Sequence, residues 1–85
     1  MAEPSRVRAL IARLEKLDAA FGVERTRLAD ELLQVANDTL VHAGDQGVWQ
    51  ATRPGAGTRK AAAEALETTV PYVQKRSSRY AKTRR

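Results

Sequence analysis

Lys60-Ala-Ala-Ala-Glu-Ala-Leu-Glu-Thr-Thr-Val-Pro-Tyr-Val-Gln-Lys-Arg76 is the stretch on which the fold turns. It reads as two short helices joined by a tight turn. Thr58 can N-cap the first, which runs through Leu66. Thr68 or Thr69 can cap the second, and Pro71 is tolerated there because the first turn of a helix needs no intrahelical donor. A helix pair that reads DNA needs a small residue where its helices cross, apolar residues beneath them and a short turn. Ala63 can be the small residue, with Ala62, Leu66 and Val73 as supporting core and Glu67-Thr68-Thr69 as the turn.

The charge of the chain gathers at the same place. From Thr58 to Arg85 there are eight basic residues and two acids, a net of +6; from Met1 to Gly57 there are seven basic residues and eight acids, a net of −1. Clustered Lys and Arg neutralise phosphate backbones, so a one-sided distribution marks where a nucleic acid would dock. Ala63-Glu64-Ala65-Leu66, Thr69, Val73 and Lys75-Arg76 resemble the helix-turn-helix superfamily, particularly short bacterial regulators with a sigma-factor-like module. The resemblance covers about twenty of the 85 residues. It departs from the family pattern at Glu67, where Gly is usual, and at Thr68 and Arg76, where aliphatic residues are usual. Glu67 must therefore take an uncomfortable backbone conformation, or the turn must have a different geometry.

The resemblance implies that the second helix of the pair enters the major groove. At 100° per residue, Val70, Pro71, Gln74, Lys75 and Ser78 share one face, and Val73, Arg76, Ser77 and Tyr80 share the other. The first set is expected at the bases: Gln74 on an adenine edge, Lys75 on guanine acceptors, Val70 and Pro71 on thymine methyls. Arg59, Lys60, Arg76, Arg79, Lys82, Arg84 and Arg85 are expected at phosphates, with the helix N-terminus around Thr69 adding backbone donors.

Working outward, Ser5 can cap a first helix whose apolar positions Val7, Leu10, Ile11, Leu14, Leu17 and Phe21 follow three-and-four spacing. Gly22 suits a left-handed ending. A second helix starts near Val23 and runs to about Ala43, with Leu28, Leu32, Val35, Ala36, Leu40 and Ala43 in one stripe. Only two or three residues separate the two, so 5–43 is expected to form an antiparallel hairpin. A two-helix hairpin cannot bury both stripes, and a second subunit is a natural cover. Gly44, Gly47, Pro54, Gly55 and Gly57 make 44–57 read as a connector, with Arg53-Pro54-Gly55-Ala56 in the order of a type II turn. Trp49 is either in a loose connector or held by a short helical turn around Val48 to Ala51; the second is preferred because a large ring is seldom left fully solvated.

The expected architecture is thus all-α: an N-terminal antiparallel hairpin, a connector, a helix-turn-helix over 58–80 and a basic tail over 81–85, about four helices in a single domain. No cysteine is present and His42 is the only histidine, so thiolate and His-cluster metal sites are excluded and no cofactor is expected. Gly55-Ala-Gly57-Thr-Arg-Lys60 lacks Walker spacing and a preceding strand. No signal peptide or membrane span is legible, and a cytoplasmic protein is expected. The chain reads as a binding protein and not an enzyme. The leading expectation is a homodimer on double-stranded DNA; the alternatives are a non-specific nucleoid or RNA binder and a helical module for a protein partner.

Overall fold

The computed structural model describes residues 5–84, and these form four α-helices with no strand among them. They are α1 (Arg6–Ala19), α2 (Val23–Ala51), α3 (Arg59–Ala65) and α4 (Val70–Thr83). The all-α expectation holds. None of the helices is long and apolar enough to cross a membrane.

The chain taken as one domain divides into two compact units, Met1–Val41 and His42–Arg85. Buried side chains gather accordingly: Leu10, Leu32 and Thr39 in the first unit, Asp45, Val48, Ala63, Val73 and Tyr80 in the second. The helix α2 contributes to both.

In the first unit Ser5 caps α1 as expected, its Oγ accepting from the Val7 amide at 3.1 Å. The helix ends at Ala19, and three residues lead into α2, the last of them Gly22 at φ 66°. Arg13 and Lys16 of α1 line one groove with Leu28, Glu31 and Leu32 of α2, the register an antiparallel hairpin gives. The α2 stripe is turned inward except Leu40, whereas on α1 only Leu10 and Leu17 are. Val7, Ile11, Leu14, Phe21, Leu33 and Leu40 remain exposed, Leu33 at 72%. Two helices offer only two facing strips, so among the described residues of this unit nothing covers the rest of an apolar arc this wide.

The second unit begins inside what reads as a connector. The boundary near Ala43 is too early: α2 continues unbroken through Gly44 and Gly47 to Ala51. A glycine costs an α-helix about 1 kcal/mol relative to alanine, too little to end it when the next turn packs. Here Asp45, Val48, Trp49 and Thr52 prolong the inward stripe toward α4. The true connector is 52–58. Within it Arg53 to Ala56 form the expected turn, with the Ala56 amide donating to the Arg53 carbonyl at 2.9 Å and Gly55 at φ 87°. The stretch 81–85 is likewise not all tail, since α4 runs to Thr83 and Arg84 caps it. Val48, Ala63 and Val73 form the core, with Ala62 packed on it.

Candidate nucleic-acid interface

The helix pair rests on two caps and a turn. Thr58 Oγ1 accepts from the Ala61 amide at 3.1 Å, and Thr69 Oγ1 accepts from the Tyr72 amide at 3.3 Å. Between them, the Thr68 amide donates to the Ala63 carbonyl at 2.9 Å and the Glu67 amide to the Glu64 carbonyl at 3.2 Å. These are the two bonds of a Schellman ending, and Glu67 sits at its left-handed position with φ 54°. The turn therefore keeps the geometry usual for glycine while carrying a glutamate, at a cost of roughly 1–2 kcal/mol for the left-handed backbone.

Beneath the turn, Ala63 is the small buried residue at the crossing and Val73 is fully buried, at 0% exposure. Leu66 is not core: it caps α3, lies 53% exposed, and forms the rim of an apolar groove it shares with Gly44, Gly47, Val48, Ala51, Ala62, Ala65 and Arg76. Ala63 and Val73 already fill the crossing, which leaves the side chain at the helix end outside it.

The two faces of α4 separate as the helical angle requires. Val70, Pro71, Gln74, Lys75 and Ser78 are all exposed, while Val73 and Tyr80 are buried and Arg76 and Ser77 are half-buried. Arg59 and Lys60 lie exposed in the first turn of α3, which has no acid there. Cations at that end oppose the helix dipole, so local helix stability does not account for them. Lys82 and Arg84 are exposed at the far end of α4, roughly 20 Å from Thr69 along the axis. Arg85 lies outside the described residues.

Arg76 and Arg79 are differently placed from the rest. Arg76 Nε donates to Asp45 Oδ1 at 2.7 Å, and Arg79 donates to the same carboxylate through Nε at 2.5 Å and Nη2 at 2.8 Å. The Asp45 side chain is 3% exposed, those of Arg76 and Arg79 21% and 48%. Hydrogen bonding from Arg79 is the leading cause that holds the Asp45 carboxyl below its ordinary value; the Arg76 bond and the two positive charges add to it, and burial opposes. Both arginines thus tie α4 to α2, and only the half-exposed guanidinium of Arg79 retains an outward aspect. Arg76 takes the inward position where the resembling family has an aliphatic residue. Gly44 makes room for it: a Cβ there would collide with Nη2 and stand 3.1 Å from Cζ.

A second cluster surrounds Trp49. Its ring lies 5.1 Å from that of Tyr80, which also meets His42 at 5.3 Å and accepts a hydrogen bond from Gln46 Nε2 at 3.1 Å. Tyr80 is therefore a core edge and not a stacking platform. The guanidinium carbons of Arg53 and Arg84 stand 4.5 Å and 4.6 Å from the Trp49 ring centre. Asp45 and Arg53 are the residues that the sequence reading misses, because 44–57 reads as a connector, whereas Trp49 does lie in a helical turn, here the end of α2. The signal was there in the helical spacing of Asp45, Val48, Trp49 and Thr52, which carries on the stripe of the preceding residues.

Comparison with protein-family models, with curated proteins and with solved structures returns no match. The functional reading accordingly rests on the residues themselves.

Proposed function

We propose that this chain is a sequence-specific DNA-binding protein that inserts α4 into the major groove, as a small dimeric regulator or a plasmid or phage maintenance protein. The observation that carries the reading is the division of α4 into a packed face and an exposed one. Val70, Pro71, Gln74, Lys75 and Ser78 stand outward on a helix fixed at its start by the Thr69 cap. They belong to a unit with nine basic residues against three acids, a net of +6. Gln74 and Lys75 are the base readers, Val70 and Pro71 meet thymine methyls, and Arg59, Lys60, Lys82 and Arg84 grip phosphates. Such a protein works in the cytoplasm, at the nucleoid, without a cofactor or catalytic step.

The homodimer belongs to the same proposal. The exposed Val7, Ile11, Leu14, Leu33 and Leu40 of the first unit favour it. So does charge: α1 carries four basic residues and two acids, whereas α2 up to Val41 carries two basic residues and four acids. A two-fold pairing that sets α1 of one copy on α2 of the other matches opposite signs over apolar contact. Two recognition helices then read half-sites related by inversion, spaced near one helical turn.

Gln74→Ala tests the reading. Against a duplex that the protein prefers, it should lose about 1–3 kcal/mol, with little change on unrelated duplexes. Equal binding to every duplex before and after the substitution would replace the specific reader with a charge-driven coating protein.

A further inference from the structure

We infer that Arg53 and Arg84, held against Trp49, form a second anchor for the phosphodiester backbone of duplex DNA, at the end of α4 remote from its N-terminus. The inference rests on the DNA-binding reading, in which Arg84 already meets phosphate, and adds to it Arg53 and the Trp49 platform that joins the two.

The second unit has only three acids, Asp45, Glu64 and Glu67, and Asp45 is occupied by Arg76 and Arg79. Neither Arg53 nor Arg84 pairs with a carboxylate among the described residues. Two guanidiniums nevertheless stand within 4.6 Å of one indole centre. The ring attracts each cation only modestly at an exposed site, and it does nothing to neutralise the pair. Phosphate oxygens accepting from the guanidiniums would do so. A guanidinium stacked on a ring keeps its N–H edge for hydrogen bonding, and that edge suits the two free oxygens of a phosphodiester.

The platform is also firm. Trp49 lies on the last turns of α2 and packs on the buried Tyr80, whose hydroxyl is held by Gln46. Arg53 follows directly in a hydrogen-bonded turn, and Arg84 caps α4. Both arginines are exposed, so a duplex can reach them. Their position about 20 Å along α4 from Thr69 would fix the angle of the helix in the groove without reading any base.

The test measures binding to a mixed-sequence duplex of roughly two helical turns, about 20 base pairs, across a range of salt. The protein with Arg53→Gln and Arg84→Gln is compared with an isocharge control carrying Arg25→Gln and Arg27→Gln in the first unit. The anchor predicts that the first variant binds about tenfold more weakly, with a log K against log salt slope shallower by roughly 1–2, and that the control stays within about twofold of the unsubstituted protein. Far-UV circular dichroism checks folding. Arg53→Gln alone, in the turn outside the helices, gives a milder second variant. Trp49 is the only tryptophan, so its emission should also change on adding duplex and stay constant with inorganic phosphate at matched ionic strength. An equal loss in both variants would reduce the anchor to bulk charge, and no loss in the first would remove it, while either leaves DNA binding standing. A saturable response to inorganic phosphate alone would replace backbone recognition with a small-anion site. If the unsubstituted protein binds no duplex, the DNA reading falls and the anchor with it.

Discussion

Asp45→Asn is the sharpest perturbation of the second unit. The side chain keeps its shape but loses the charge that accepts from Arg76 Nε and from two nitrogens of Arg79. A hydrogen bond to a charged group contributes about 1.5–3 kcal/mol, against about 0.5–1.5 for a neutral one. Cutting one side of a buried pair costs about 3–5 kcal/mol. The full figure does not apply here, because the half-exposed Arg79 can return to water; Arg76, at 21%, can do so less well. The expected loss is therefore about 2–3 kcal/mol near neutral pH. The pH dependence gives the assay its force. The folded carboxyl lies below its ordinary value of 3.8, so its contribution is complete above that value and is lost as pH falls through the folded value. Urea unfolding followed at 222 nm from neutral pH downward should show the gap between the two proteins closing only on acidification below about 4. An Asn variant within about 0.5 kcal/mol of the original at neutral pH, or a gap that persists unchanged in acid, would show that the Asp45 charge does not hold α4 to α2.

Other substitutions follow from the same geometry. Glu67→Gly should stabilise by about 0.5–1 kcal/mol, the left-handed strain removed less the entropy glycine loses on folding, and raise Tm by about 3–6 °C; an unchanged or lower Tm counts against the strain. Gly44→Ala and Gly47→Ala should act in opposite directions. At Gly47 a Cβ meets nothing within 4 Å, so alanine should add about 0.5–1 kcal/mol in urea unfolding. At Gly44 it displaces Arg76 from Asp45, and a net loss of about 0.5–2 kcal/mol is expected. Ile11→Lys with Leu33→Lys should convert a dimer to a monomer in sedimentation equilibrium, and an unaltered mass would move the interface elsewhere.

What the sequence disclosed and what it hid have physical reasons. Caps are local chemistry: Ser5, Thr58 and Thr69 each accept the amide two or three residues on, and side-chain type with spacing is enough to find them. The strain at Glu67 was legible for the same reason, as a departure from a turn that needs a positive φ. The two faces of α4 followed from helical angle alone. The end of α2 did not. Gly44 and Gly47 are local signals for a break, and the packing of Asp45, Val48 and Trp49 against residues more than twenty positions away outweighs them. With that stretch read as connector, the carboxylate that binds Arg76 and Arg79 had no place, and both arginines were assigned wholly to phosphate. Leu66 was misjudged because an apolar residue at a helix end satisfies the periodicity whether or not a partner faces it.

The most direct test of the central claim is selection from a random duplex-DNA library at near-physiological salt, with the bound pool sequenced. A specific dimeric reader should enrich one motif, arranged as an inverted repeat with half-sites near one helical turn apart, and the enrichment should fall when Gln74 or Lys75 is replaced by alanine. A pool bound without any motif and released steeply as salt rises would contradict the specific reader, and a pool that binds nothing would contradict DNA binding altogether.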